Sequence, residues 1–254
     1  MSCRAGKKVI YEIRMDSTNE AAKRAGDEGA EHGLVFRADI QTAGKGRRGR
    51  EWYSNHAGNL YFTILLRPQL SPEKAAMLTL VMAYGVAEAI RESTGLQAMI
   101  KWPNDIVVEK KKVCGILSEM KLKGTRVDYC VIGVGVNVAK QVFAEEIRDK
   151  ATSLEEQCHI QVDREEILQA ILASFERHYE EFLCNKDLSH LQEKYNEWLI
   201  NREQQVRVLE PQGEYEGVAK GITSTGELLV ECEKGVVQKV YAGEVSVRGL
   251  YGYV

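Results

Sequence analysis

The sequence predicts an α+β protein in two parts, a large domain over residues 1–202 and a small β-barrel over residues 203–254. Three observations predict this. Up to Asn201, stretches with apolar residues at helical spacing are interleaved with short β-branched runs. From Gln205 onward only short alternating strands remain, with Gly or Gly-Glu at most of the turns. The 254 residues supply one large core and one small one, and a unit of about 50 residues is marginal alone, so the second part is expected to lean on the first.

The first strand is Lys8–Ile13. Asp16-Ser17-Thr18-Asn19-Glu20 then opens a helix that Gly26 or Gly29 ends, and Ser17 with Glu20 three positions on has the form of a capping box. Strands follow at Leu34–Gln41 and Asn59–Leu66. Ser71-Pro72-Glu73 joins an N-cap, a proline at the first helical position and an early acid, which predicts one helix to about Thr94 before Gly95. Short strands are expected at Ala98–Trp102, Asp105–Glu109, Lys112–Met120 and Asp128–Val138, with Lys110-Lys111-Lys112 a basic tip between two of them. A long helix opens at Asp163 and carries Ile167, Ile171, Phe175, Tyr179 and Phe182 on one stripe. A second has Leu188, Leu191, Tyr195, Trp198 and Leu199. The barrel strands are Gln205–Leu209, Gly217–Ile222, Leu228–Glu231, Val236–Tyr241 and Val245–Arg248.

Composition narrows the class. With 44% apolar and 28% charged residues and a net charge of −3, the chain reads as an ordinary globular protein, without the broad basic face that a long polyanion selects. No apolar run reaches the roughly 18 residues of a membrane span, and the basic start lacks a signal peptide's apolar segment, so a cytoplasmic protein with no membrane partner is expected. The six cysteines form no C-x-x-C pair, and His159 beside Cys158 is not at zinc-ligand spacing. Most read as buried small hydrophobes, and neither zinc nor structural disulfides are expected.

The segment Gly44-Lys45-Gly46-Arg47-Arg48-Gly49-Arg50 packs four cations and three glycines into seven residues. Glycines let backbone N–H groups approach a ligand, and Arg and Lys supply charge-assisted donors for carboxylate and phosphate oxygens. The expected ligand is small and phosphorylated. Formally Gly44-x-Gly46-x-x-Gly49 is a dinucleotide-binding fingerprint, but that motif needs a helix after it, and a turn leading into the run Asn59–Leu66 follows instead. A nucleic-acid patch and a plain solvated basic turn are the other readings. The second cluster is Lys101-Trp102-Pro103-Asn104-Asp105, where Pro103 makes the segment an extended strand end entering a turn. An Asn-Asp turn explains Asn104 and Asp105 alone, but not the flanking charges or Lys112 seven residues on. Gly115, in the strand after Lys112, allows close approach of a ligand or backbone.

Taken together these segments resemble the biotin protein ligases. Five motifs occur in the family's order: Asp16-Ser17-Thr18-Asn19, the Gly44–Trp52 loop, Lys101–Asp105, Lys112-Val113-Cys114-Gly115-Ile116-Leu117 and Gly133-Val134-Gly135-Val136-Asn137-Val138. The tail, Gly243-Glu244-Val245-Ser246-Val247-Arg248, is similar to the end of the family's C-terminal domain. The resemblance implies a mixed-sheet, class II synthetase-like catalytic domain followed by an SH3-like barrel. Only about fifteen residues precede Asp16, too few for a helix-turn-helix domain. The likeness is therefore to the members without a DNA-binding domain.

The same resemblance implies a reaction and its residues. Biotin carboxylate would attack the α-phosphate of MgATP to give biotinyl-5′-AMP, and a lysine of a biotin carboxyl carrier domain would then take the biotinyl group. Ser17, Thr18, Gln41, Gly44, Lys45, Arg47, Lys112 and Gly115 are implied to bind biotin, with the Gly133–Gly135 strand lining its slot. Arg47, Arg48, Arg50, Trp52, Lys101, Asn104 and Asn137 are implied to bind ATP and the adenylate, Trp52 covering the adenine. Lys112, Arg47 and Asp105 are the implied catalytic residues, and Mg2+ is held mainly by the ATP phosphates. At Lys45 the family often has Arg, and a point charge there replaces a bidentate fork. The cations suit the chemistry, since bringing a carboxylate to a polyphosphate sets anion against anion. Two other readings stay open: a lipoate-protein ligase of similar fold, and a non-catalytic biotin-sensing or nucleic-acid-binding module. A homodimer is left open, and no nucleic-acid partner is expected.

Overall fold

A computed structural model describes residue 6 and residues 8–210, 213–243 and 246–249. Seven strands form the first sheet: β1 (Val9–Met15), β2 (Leu34–Gln41), β3 (Leu60–Leu66), β4 (Met99–Lys101), β5 (Asp105–Val108), β6 (Lys111–Lys123) and β7 (Arg126–Val136). Their order is β1-β2-β3-β7-β6-β5-β4. β1 runs parallel to β2, joined by the crossover helix α1 (Thr18–Asp27), and every other pairing is antiparallel, so the sheet is mixed. β5 and β6 meet at a tight turn in which Glu109 and Lys110 both have left-handed φ, 48° and 63°. That geometry matches the twist of a two-residue hairpin.

One face of the sheet is the main core. Successive side chains of a strand point to opposite faces, and Leu60, Phe62, Ile64 and Leu66 of β3 all enter the cluster built with α3 (Leu78–Thr94) and α5 (Arg164–Asn185). α3 is buried nearly all round, and α5 contributes Ile167, Ile171, Phe175, Tyr179 and Phe182, the stripe expected from its spacing. The opposite face is covered at its β1 end by α1, where Ala22 packs with Phe36, Leu65 and Tyr129.

The second sheet contains β8 (Gln205–Glu210), β9 (Gly213–Ile222), β10 (Leu228–Glu231), β11 (Val237–Val240) and β12 (Ser246–Gly249), all antiparallel. Its order is β11-β10-β9-β8-β12. Among the described residues no ladder joins β11 to β12, so the closed barrel expected from sequence is not formed and the sheet stays open. The start of the predicted strand at Val245 lies outside the described residues. This sheet does lean on the large one: Val206, Val208, Ala219, Ile222, Leu228 and Val230 belong to the same apolar cluster as α3 and α5. Trp102 is the seam. Its indole Nε1–H donates to Gly226 O at 3.1 Å, and its backbone N–H donates to Asn201 Oδ1 at 2.9 Å.

Several local expectations change. The predicted capping box is not made: Ser17 caps no N–H with its side chain, and Glu20 turns to Lys23 and Lys45 instead. Two opposite charges outbid one backbone donor. The single helix expected from Ser71 to Thr94 is broken into α2 (Pro72–Ala76) and α3, with Met77 between them. A short helix, α4 (Leu154–Cys158), capped by Ser153 Oγ, was not foreseen, and the helix after α5 shrinks to α6 (Gln192–Glu197). Of the five cysteines described, only Cys114 and Cys130 are buried; Cys184 is exposed, and Cys158 and Cys232 are half-buried. No helix among the described residues is long and apolar enough to cross a membrane.

The shared core predicts that the two sheets unfold together. Trp102→Phe keeps an aromatic ring, though a smaller one, and leaves Gly226 O without its donor, which alone costs about 1–3 kcal/mol. Urea unfolding followed by circular dichroism and by tryptophan fluorescence should show one coincident transition, moved to lower urea in the variant.

Candidate functional site

The face of the sheet turned away from α3 and α5 holds a slot whose floor is set by strand register. Gly133 of β7 lies opposite Thr63 of β3 on one side and Leu117 of β6 on the other; Gly135 lies between Tyr61 and Gly115. The alternate residues of β7, Ile132, Val134 and Val136, fill the core beneath. The three floor glycines let wall side chains sit directly on the backbone: a Cβ on Gly133 would overlap the Asn19 amide, and one on Gly115 or Gly135 would overlap the Trp52 indole where it now lies.

The polar wall comes from the start of α1 and the end of β2. Ser17, Thr18 and Asn19 are buried there. Gln41 Oε1 accepts from the Thr18 backbone N–H at 2.8 Å and from its hydroxyl at 3.0 Å, and Gln41 Nε2 donates to Ser54 Oγ at 2.9 Å. Thr63 Oγ1 lies 2.8 Å from Thr18 Oγ1 and 2.7 Å from Asn19 Oδ1, while Asn19 Nδ2 donates to Glu119 Oε2 at 2.9 Å. These bonds fix which side chains present donors and acceptors to the slot. Gly44 is buried against Ser54 Oγ and Trp52 O, which anchors the start of the cationic loop at the slot edge.

The loop itself is a tight turn. Gly46 N–H donates to Arg50 O at 2.7 Å, Trp52 N–H donates to Gly44 O at 3.0 Å, and Lys45 bridges Glu51. Lys45 Nζ sits 2.6 Å from Glu20 Oε1, and with Lys23 on the same carboxylate it holds the Glu20 carboxyl below its ordinary value. Arg47 points inward, donating from Nη1 to Asn104 Oδ1 at 2.9 Å and from Nη2 to Gly243 O at 2.6 Å and Ala242 O at 3.2 Å. Arg48, at φ 58°, and Arg50 are exposed.

The second cluster arrives from β4, β5 and β6. Lys112 Nζ lies 2.6 Å from Asp105 Oδ1, an atom that also accepts from Asn104 Nδ2 at 3.2 Å. Lys101 is 6% exposed, and burial, only partly offset by Asp105, pushes its ammonium down to about 8. Lys112, Arg248 and Arg50 push in the same direction as burial. Burial likewise lowers the Arg47 guanidinium from its ordinary value, Asp105 opposing and Arg48 and Arg50 assisting. One carboxylate thus balances several cations at one end of the slot, an arrangement that favours an incoming anion.

Trp52 spans the two halves. Its ring lies on Gly115 and Gly135, Lys112 Nζ is 5.1 Å from the ring centroid, and its buried Nε1–H has no hydrogen-bond partner. The space between the walls is about 50 Å³, against roughly 300 Å³ or more for a typical small-molecule site. A ligand of that size requires the indole to move.

The slot is lined by Ser17, Thr18, Gln41, Lys45, Arg47, Trp52, Asn104, Lys112 and Gly115 of the residues singled out in the sequence. Asn137 is elsewhere: its side chain donates to Thr152 O at 3.2 Å, tying β7 to the segment before α4. Arg48 and Arg50 stand at the rim, and Lys101 and Asp105 stand behind Lys112. Sequence reasoning passed over Thr63, Ser54 and Asn19 as site residues. Thr63 carried a signal, being the one polar residue in the run Leu60–Leu66.

Residues 11–137 match the Biotin/lipoate A/B protein ligase family, and residues 203–248 match the Biotin protein ligase C terminal domain. The chain is 34% identical over 244 residues to the bifunctional ligase/repressor BirA of Bacillus subtilis, covering 95% of this chain and 74% of that protein. It is 35% identical over 248 residues to the biotin--[acetyl-CoA-carboxylase] ligase of Paracoccus denitrificans, 93% of this chain and 99% of that one. Among solved structures it is similar to the biotin protein ligase from Aquifex aeolicus in complex with biotin and ATP, with a TM-score of 0.82 and 32% identity over 96% of this chain and 99% of that one.

Lys101 gives a pH test of the site's electrostatics. The folded-state value is below the ordinary 10.5, so between about pH 8 and 10.5 the unfolded chain binds the extra proton and stability rises with pH. Below that window both states are charged and the folded state carries the full penalty. Lys101→Met should therefore be more stable near pH 7, by up to about 3 kcal/mol, and should lose the alkaline rise. Urea unfolding near pH 7 and near pH 9.5 measures both.

Proposed function

The chain belongs to the biotin/lipoate A/B protein ligase family, and from that premise we propose that it attaches biotin to a lysine of a biotin carboxyl carrier domain through biotinyl-5′-AMP, using ATP. The observation that carries this is the meeting of Arg47 and Lys112 at one end of a slot walled by fixed donors and acceptors, with Lys101 buried behind Lys112. Relatives named as biotin ligases and a neighbour holding biotin and ATP point the same way. We read residues 1–202 as the class II synthetase-like catalytic unit, residues 203–254 as the SH3-like unit, and the protein as cytoplasmic.

In the first step a biotin carboxylate oxygen bonds to the α-phosphorus while the bond from that phosphorus to the pyrophosphate oxygen breaks. Both reactants are anions. Lys112 and Arg47 offset their repulsion and the charge that develops, which fixed cations do without reorganising. Ser17, Thr18 and Gln41 would take the ureido edge of the biotin ring, and Gly115 and the Gly133–Gly135 strand its flat face. Gly44 and Lys45 would close the slot from the loop. Trp52, moved off the glycines, would cover the adenine, with Asn104, Lys101 and the rim residues Arg48 and Arg50 along the phosphates. Asn137, whose amide donates to Thr152 O, would fix the end of β7 near the adenylate. In the second step a carrier lysine nitrogen attacks the anhydride carbonyl, the bond to AMP breaks, and the proton leaves the nitrogen. We assign the positioning of that amine to Asp105, acting through the Lys112 and Asn104 side chains that it holds.

No Asp or Glu side chain lines the slot among the described residues, and Asp105 is engaged with Lys112 and Asn104. Mg2+ would therefore be held mainly through the ATP phosphates, where it supplies further neutralisation. Biotin is favoured over lipoate because the polar wall has ordered hydrogen-bonding groups that a dithiolane ring leaves unpaired, a costly mismatch. The test is pyrophosphate release on mixing the protein with MgATP and either biotin or lipoate, followed by transfer to a carrier domain. Turnover with lipoate equal to that with biotin, or no pyrophosphate from either, overturns the reading.

Lys112→Ala should retain the fold and lose adenylation by roughly a hundredfold or more, about 3 kcal/mol of transition-state stabilisation. Single-turnover formation of biotinyl-AMP measures it. Arg47→Gly should instead let the anhydride escape, because its charge-assisted bonds would be gone. Labelling of an unrelated protein such as serum albumin should rise in that variant.

A further inference from the structure

The helical layer, on the far side of the sheet from the slot, carries a group of side chains the reaction does not use. α5 places His178 and Glu181 three residues apart, hence on one face, and the loop after it returns His190. Glu88 of α3 lies 2.9 Å from His178 Nε2, and the same carboxylate oxygen accepts from Ser174 and Arg177. A carboxylate on one imidazole nitrogen keeps the proton there and leaves the other nitrogen as a bare lone pair. That nitrogen, His178 Nδ1, is buried with no hydrogen-bond partner.

His190 is similarly placed. Its side chain is 9% exposed, and both ring nitrogens are buried without a partner of hydrogen-bond geometry. The nearest carboxylate, Glu181 Oε2, is 3.9 Å from Nε2. A buried ring nitrogen without a partner is costly, and one ion between the two rings would relieve one on each.

We propose that His178, Glu181 and His190 form a binding site for a divalent transition-metal ion of the zinc class, with Glu88 orienting His178. One donor atom from each of the three lies within 4.8 Å of the others. Zinc–nitrogen bonds of about 2.0 Å place tetrahedral donors roughly 3.3 Å apart, so the group has to draw in by no more than about 1.5 Å. Glu181, with 53% of its side chain exposed, has room to swing. The fourth position stays open to water. No cysteine takes part, and the proposal departs from the expectation of no zinc, which rested on the spacing of the cysteines and His159. The ion would clamp the end of α5 to the loop whose Leu188 N–H donates to Ser224 O at 2.7 Å in the turn between β9 and β10. It would thereby join the helical layer to the second sheet.

The experiment uses the full chain without an affinity tag, stripped by chelator and titrated with Zn2+ by calorimetry and with Co2+ by visible absorption. The expected result is one ion per chain, a ligand-field band of tetrahedral intensity, and a higher Tm with zinc. Glu181→Gln, at the exposed edge, and His190→Gln should each weaken binding at least about tenfold, and Glu88→Gln should weaken it about 10–100-fold with the stoichiometry kept. Failure of wild-type protein to bind either ion one-to-one at micromolar concentration overturns the proposal. So does unchanged binding by the His190→Gln/Glu181→Gln double variant, which would place the ion elsewhere.

Discussion

Everything in the large domain depends on the pleat of β3, β6 and β7. Their side chains must fill a core on one face and leave room on the other, and a strand has only two faces to divide. Phe62, Ile64, Ile132, Val134, Cys114 and Ile116 take the core face. Opposite, register brings Gly115 beside Gly135 and Gly133 beside Thr63, so the backbone itself becomes the floor. A slip of one residue in any of the three strands would put apolar bulk into the slot and glycine into the core. The site is thus protected by the stability of the core beneath it.

On that floor the electrostatics are deliberately uneven. Asp105 is the counter-charge for a Lys112 held on it, and for a Lys101 buried deeply enough to be reluctant to carry its proton. Arg47 reaches across from the glycine-rich loop to Asn104 and to two carbonyls of the C-terminal segment. A bound anion would take over these cations, so the same groups that pull strands and loop together without ligand are those proposed to receive carboxylate and phosphate with it. The indole of Trp52 lies over the floor in a space too small for a cofactor-sized molecule. Binding on this reading requires the loop to be rebuilt around the ligand, and the affinity is reduced by the cost of that change.

The second sheet contributes through its attachment. Alone it would bury too little to be stable. Joined through Trp102, Gly226 and a common apolar cluster, it becomes part of the wall that holds the Lys101–Asp105 turn. The helical layer has its own polar seam at Glu88, His178 and His190, where ring nitrogens are buried without hydrogen-bond partners, as Trp52 Nε1 and Ser118 Oγ are elsewhere.

The sequence by itself determined the order and type of most elements, the stripe of α5, the break at Gly95, and the two cationic clusters, because these rest on local periodicity and on residue chemistry that neighbours along the chain express. The family resemblance added which clusters act together. Tertiary structure decided the rest. Glu20 left the capping position predicted for it because Lys45, 25 residues away, competes better than a nearby N–H. The Asn137 amide proved to donate to Thr152 O, and Thr63, one polar residue in an apolar run, proved to hold Thr18 and Asn19 of the wall from behind. The open second sheet and the gathering of His178, Glu181 and His190 were equally invisible. In each case the deciding contact joins residues that the chain keeps apart, and its strength depends on burial, which no local pattern fixes until the sheets and helices have packed.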